Sequence, residues 1–172
     1  MIIPTCLAYL VPSLTSSQSY PPSHRRAAAF SLSRYLTSQG KNGEKNLFVS
    51  IVHRPFQARS QESETNPRLP VLSTEAALTA LTSLIANTDP SPILISSLLS
   101  PIIPQLYALM EHMEGLRTSD PYVVQLCRNT FITWGKIISL EEGVEVLWSI
   151  ARGYGGTWHI DKDGEDFEWS LG

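Results

Sequence analysis

Apolar side chains recur every three or four residues through the second half of the chain, and this spacing limits the fold more than any other feature. Residues at such intervals lie on one side of an α-helix, so each set must be buried against another element. Leu78, Leu81 and Ile85 begin the series. The three stripes that follow are Ile102, Leu106, Leu109, Met113 and Leu116; Val123, Cys127, Thr130, Trp134 and Ile137; and Leu140, Val144, Leu147 and Ala151.

Short motifs indicate where these helices begin. Asp89-Pro90, Ser100-Pro101 and Asp120-Pro121 each place a capping side chain before a proline. The cap oxygen accepts a hydrogen bond from a free first-turn amide, and proline at the first helical position lacks a donor that would be unpaired there. Ser139, with Glu142 three residues later, has the pattern of a capping box.

Successive amphipathic helices with short connections predict an all-α protein, arranged as an α-solenoid of HEAT- or armadillo-like helix pairs. A compact helical bundle is the alternative. We divide the chain into a helical segment with a partial repeat (1–56), a polar linker that we expect to be mobile (57–72), a helical-repeat core (73–153) and a C-terminal β-hairpin (154–172).

The first segment is less regular. His24–Ser38 has a moderately amphipathic pattern and predicts a helix, which Gln39–Gly43 is expected to end. Asn46–His53 is short and rich in β-branched residues, so it favours a strand in isolation, while a buried helix stays open. Residues 1–12 are apolar without a preceding basic residue, so we expect no signal peptide and interpret the chain as a fragment of a longer protein.

The C-terminal residues predict a hairpin. Gly153–Gly156 is expected to end the last helix, because glycine adopts the left-handed cap conformation without strain. Asp163-Gly164 then separates two short runs that carry aromatic residues, which is typical of a β-turn between paired strands.

The four tryptophans divide into two expected classes. Trp134 and Trp148 lie within helices and are expected in the core. Trp158 and Trp169 lie on the hairpin, where we expect exposed anchors for a protein partner, since tryptophan is enriched at binding hot spots.

Composition and charge argue against nucleic-acid binding. Residues 1–60 hold seven of the 13 Lys and Arg residues and one of the 16 Asp and Glu residues. The bases are scattered, so a solvated basic face is expected rather than a nucleic-acid site.

One apolar stretch suggests an alternative at the membrane. Ser91–Met110 holds no charged residue and is long enough to span a bilayer. Its three prolines favour two shorter buried helices. The alternative is a membrane-associated protein of the secretory pathway or Golgi, anchored through 91–110.

No motif in the sequence predicts chemistry. Asp161-x-Asp163-Gly164 lacks the glycine and glutamate that a calcium loop needs at positions six and twelve. His112 lies outside any His-Glu-x-x-His pattern. Cys127 lies on an apolar stripe, which favours a packed thiol over a nucleophile. We therefore expect no catalytic, cofactor or metal site and no enzymatic activity.

Several segments resemble a known family. Residues 84–110, Arg54-Pro55-Phe56, Thr133-Trp134-Gly135, Glu142 through Trp148, and Gly155 through Trp158 are similar to the C-terminal region of fungal RNA polymerase II assembly factors. These factors are relatives of the animal transport and Golgi organization protein 6.

The resemblance implies a HEAT-type repeat scaffold that acts in cytoplasmic assembly and nuclear import of RNA polymerase II. It implies polymerase subunits, assembly cochaperones and nuclear-pore or import factors as partners, with location in cytoplasm and nucleus. The resemblance does not assign a partner-contact role to any individual residue of this chain.

Overall fold

The computed structural model describes residues 21–37, 42–58, 71–89, 91–116, 121–153, 156–160 and 166–171, with side chains in the second range from Leu47 onward. The helices are α1 (Pro22–Thr37), α2 (Asn42–His53), a 3₁₀ turn (Arg54–Phe56), α3 (Thr74–Ala86), α4 (Pro92–Leu99), α5 (Ile103–Gly115), α6 (Pro121–Ile137) and α7 (Leu140–Arg152). The strands are β1 (Gly156–Ile160) and β2 (Phe167–Leu171), paired antiparallel. A mostly helical fold with a C-terminal hairpin is thus confirmed.

The helix α2 resolves the ambiguous segment. Phe48, Ile51 and Val52 are buried, and their three-and-four spacing is helical rather than alternating. The strand interpretation of Asn46–His53 is wrong, and the buried helix is confirmed. The first helix ends at Thr37, ahead of the predicted stop over Gln39–Gly43, and α2 begins inside that stretch, at Asn42.

Helix starts agree with the sequence at α6 and α7 and shift elsewhere. Helix α6 begins at Pro121, and Ser139 Oγ accepts from the Glu142 amide at 3.3 Å. Helix α4 begins at Pro92 rather than Pro90. Pro92 takes the first helical position, where its missing amide leaves no hydrogen bond unmade.

Helix α5 begins at Ile103, later than the predicted start at Pro101. The Ser100 amide still donates to the Ser96 carbonyl at 3.1 Å, so the turn of α4 continues through Ser100 and closes over Pro101 and Ile102. The predicted helix start at Ser100-Pro101 is therefore the end of the preceding helix. No single described helix is long and apolar enough to span a membrane, but α4 and α5, bent by 57° at this break, pass the same criterion as a pair.

The core lies between α6 and three neighbours. Helix α6 packs against α3, α4 and α5, and α1 and α2 pack against α3. Four residues of the first long stripe (Ile102, Leu106, Leu109, Met113) and four of the second (Val123, Cys127, Thr130, Trp134) are buried as expected. Both stripes thus direct α5 and α6 into one hydrophobic core.

The hairpin folds back onto the front of the chain. Trp158 and Trp169 are register partners, with ring centroids 5.5 Å apart. The Trp158 ring meets Phe56 of the 3₁₀ turn edge-on at 6.2 Å, and its Nε1 donates to the Gln105 carbonyl of α5 at 2.9 Å. The hairpin therefore joins elements far apart in sequence.

Asp166, just before β2, holds the start of α3. Its two carboxylate oxygens accept from the Thr74 amide at 3.0 and 3.2 Å, and Thr74 Oγ1 donates to the Phe167 carbonyl at 2.9 Å. A carboxylate at a helix N-terminus satisfies a free amide and complements the helix dipole. Residues 59–70 of the expected linker 57–72 lie outside the described residues, and so does the whole predicted hairpin turn at Asp163-Gly164.

Candidate protein-binding surface

Helix α7 exposes the stripe that the sequence predicts to be buried. Leu140, Val144, Leu147 and Trp148 are 85%, 50%, 55% and 60% exposed, and Ala151 is exposed as well. We call these five residues the α7 surface. The prediction that Leu140, Val144, Leu147 and Ala151 pack against another helix is wrong within the part of the chain that the structure describes.

A second apolar face explains the orientation of α7. Val146 and Ile150 pack against the core, and α7 contacts α5. Ser96 Oγ donates to Glu142 Oε1 at 2.6 Å, which ties the start of α7 to α4. The Glu142 carboxylate, expected to complete a capping box at Ser139, thus accepts a hydrogen bond from a neighbouring helix. A helix with two apolar faces can bury only one of them in a single contact.

Charged side chains flank the α7 surface on one side. Glu141 and Glu145, one turn apart, are exposed. The Arg152 guanidinium lies 5.6 Å from the centroid of the Trp148 ring, a cation–π contact. Pro104 and Gln105 of α5 line a shallow groove beside Trp148. The result is an apolar ridge with acidic groups near its start and a base at its end.

The tryptophans are distributed differently from the sequence prediction. Trp158 and Trp169 are each 3% exposed, so their prediction as exposed partner anchors is wrong. The two indoles pack on each other, and Trp158 also packs on Phe56. Trp134 is buried as expected, with Nε1 donating to Ser100 Oγ at 2.9 Å. Trp148, expected in the core, is the exposed one.

Of the residues weighed for chemistry, Cys127 and His112 lie in the described part of the chain. Cys127 is fully buried, and the removal of its thiol from water raises its pKa to about 12, which suppresses the nucleophilic thiolate. His112 packs edge-on against Phe167 at 6.3 Å. Within the described part of the chain, no three His, Cys, Asp or Glu side chains lie together where a metal could bind. Asp161 and Asp163 lie outside it.

One buried histidine was not expected to have any role. His53 Nε2 lies 2.7 Å from the Leu98 carbonyl, which joins α2 to the end of α4. Burial lowers the pKa of His53 from its usual value, while its hydrogen bond to Leu98 raises it by less. The neutral ring therefore donates its proton to the carbonyl and links two helices.

Comparison with protein-family models, curated proteins and solved structures finds no match to this chain.

Proposed function

We propose that this chain is a non-enzymatic protein-binding segment, built as part of a HEAT- or armadillo-like helical array, that docks other protein through the α7 surface. The exposed apolar face of α7 carries this proposal. Monomeric proteins rarely expose contiguous large apolar patches, and patches bordered by polar side chains are typical of interaction sites.

The composition of the α7 surface supports protein binding. A tryptophan stacked with an arginine supplies the two residue types most enriched at hot spots. Leucine and valine around them offer apolar area, and Glu141 and Glu145 form a polar rim. The exposed row repeats at helical spacing, which suits an amphipathic helix as the bound element.

The sequence resemblance supports a particular setting for this binding. It points to cytoplasmic assembly and nuclear import of RNA polymerase II, with polymerase subunits, cochaperones and import or nuclear-pore factors as partners. A solenoid scaffold suits such work, because stacked helix pairs present extended surfaces.

The competing role is a membrane anchor through 91–110, favoured by the bent α4–α5 pair. The burial of Leu94, Leu98 and Leu106 in the core supports the scaffold instead, because these side chains already have protein partners. Carbonate extraction of cell membranes separates the two roles: the anchor predicts retention of the chain in the membrane pellet, and the scaffold predicts its release.

Affinity capture of the full chain from cells, with quantitative mass spectrometry, tests the proposal. Leu147→Glu places a charge in the middle of the α7 surface, and we expect loss of the captured proteins. Ile93→Glu is the matched control, since Ile93 is a large apolar residue, 80% exposed on α4, that is not part of the α7 surface. Equal capture by both variants, or no polymerase subunit, cochaperone or import factor with the unaltered chain, would contradict the proposal.

A further inference from the structure

The exposed stripe on α7 has a spacing that is the same in both directions. Leu140, Val144, Leu147 and Ala151 are separated by steps of four, three and four residues. An antiparallel copy of the helix therefore places Leu140 opposite Ala151 and Val144 opposite Leu147, and each pair occurs twice. Such antiparallel seams, with apolar residues alternating at three and four, are typical of packed helix pairs.

The charges beside the stripe fit the same alignment. When Leu140 lies opposite Ala151, Glu141 of one helix lies two residues from Arg152 of the other, about 3 Å along the axis at 1.5 Å per residue. All three charged residues lie on one side of the stripe, and Glu145 follows Glu141 by one turn. In the antiparallel pair Glu141 therefore meets the Trp148–Arg152 pair of the other copy, while the two copies of Glu145 lie one residue apart beside the twofold axis.

We propose that a second copy of this chain occupies the α7 surface, with α7 packed antiparallel against α7 across a twofold axis. This rests on the proposed function, because it names the partner of the same surface. Charge complementarity selects the second copy and its direction. In a parallel twofold pair the flank that carries Glu141 and Arg152 would lie on opposite sides of the contact in the two copies, so neither charge would meet its complement there.

The dimer is expected to be weak. A contact between one helix and its copy should bury less than about 1,200 Å² of total surface, which is the size range of transient interfaces. We expect a dissociation constant on the order of tens of micromolar, with exchange between dimer and monomer. A concentration series is needed to detect it.

Analytical ultracentrifugation of the full chain, from about 5 to 300 µM, a range set by such weak affinities, tests the proposal. We expect a concentration-dependent monomer–dimer equilibrium for the unaltered chain and for Ile93→Glu. Leu147→Glu should stay monomeric across the range, with an unchanged far-UV circular dichroism spectrum. An unaltered chain that stays monomeric at the highest concentration would overturn the second copy as occupant.

Charge reversal tests the register. Arg152→Glu alone and Glu141→Arg alone should each weaken dimerisation about tenfold, because two symmetry-related pairs become repulsive. The double variant Glu141→Arg/Arg152→Glu should recover most of the affinity. Because these side chains are exposed, the variants leave the fold in place, and failure of the double variant to recover would refute the antiparallel alignment.

The outcomes separate this proposal from the proposed function. Capture of other proteins that depends on Leu147, with a chain that stays monomeric, overturns the second copy and keeps the protein-binding surface. Dimerisation that depends on Leu147, without capture of any polymerase or import component, keeps the second copy and removes the proposed cellular setting.

Discussion

Helix α7 and the hairpin that follows it both carry tryptophan, yet only the hairpin buries it. Trp158 packs between Phe56 and Trp169 and donates its indole proton to a backbone carbonyl, so both its apolar body and its polar edge are satisfied. Trp148 makes a cation–π contact with Arg152 and stays 60% exposed. A large aromatic residue therefore marks the core or a docking surface according to what the rest of the chain places over it.

Truncation of the two tryptophans should show the largest difference between the regions. Trp158→Ala removes a buried ring and a hydrogen bond, and we expect a loss of about 3–5 kcal/mol in the free energy of unfolding. Trp148→Ala should change it by less than about 0.5 kcal/mol, as for other surface substitutions. Urea unfolding followed by circular dichroism measures both free energies. Equal losses would show that Trp148 stabilises the fold as much as Trp158 does.

A methyl group at Gly156 should disrupt the pairing of β1 and β2 and leave the α7 surface unchanged. A Cβ there would lie 2.4 Å from Trp169 Cζ2 and 2.7 Å from the Ser170 carbonyl oxygen, so the strands must separate. We expect Gly156→Ala to destabilise the fold by about 1–3 kcal/mol.

Gly135→Ala is the matched control, because a Cβ at Gly135 in α6 meets nothing within 4 Å. It should stabilise the helix by up to about 1 kcal/mol, since alanine favours the helical conformation over glycine. Thermal unfolding of the two variants should therefore shift the midpoint in opposite directions, and shifts of one sign would count against the tight strand contact.

Substitution of Asp166 measures how much the hairpin stabilises the start of α3. Asp166→Ala leaves the Thr74 amide without its acceptor, and we expect a loss of about 1–2 kcal/mol, as for other N-terminal caps. Asp89→Ala is the control: Asp89 is exposed, and Ser91 rather than Asp89 precedes the first turn of α4. Equal denaturation midpoints for the two variants would show that the hairpin does not stabilise α3.

The smallest effect is expected from pH, acting on the buried His53 at the end of α2. The pKa of His53 is lowered in the folded protein, so the unfolded chain takes up the proton first. The free energy of unfolding should be level above the usual histidine value of about 6.5 and fall as the pH drops below it. His53→Gln should flatten this slope in urea titrations at several pH values, whereas the exposed His24→Gln should keep it.

Helix content could be predicted because it depends on neighbouring residues. Ser139 caps α7, Pro121 begins α6, and Ile102, Leu106 and Leu109 face inward, as their spacing indicates. The boundaries at α4 and α5 shifted because several Ser-Pro and Pro positions compete within a few residues. When each candidate start satisfies the same first-turn amides, the local sequence does not show which one the helix uses.

The site could not be predicted, because spacing shows that a helix has an apolar face but not which face finds a partner. Leu140, Val144, Leu147 and Ala151 form the most regular stripe of α7, and yet Val146 and Ile150 are the residues packed on the core. The second apolar face of α7, formed by Val146 and Ile150, is visible in the sequence. It is the signal that could have indicated that one of the two faces stays exposed.

The sequence by itself determined the succession of helices, the glycine that ends α7 and the hairpin after it, since propensity, capping and turn chemistry act over a few residues. Only the tertiary structure decided which tryptophans are buried. Phe56, Gln105 and Thr74 meet the hairpin across long separations in the chain, and nothing in the described residues covers Trp148. Burial is a property of contacts between distant segments, and local spacing does not specify those contacts.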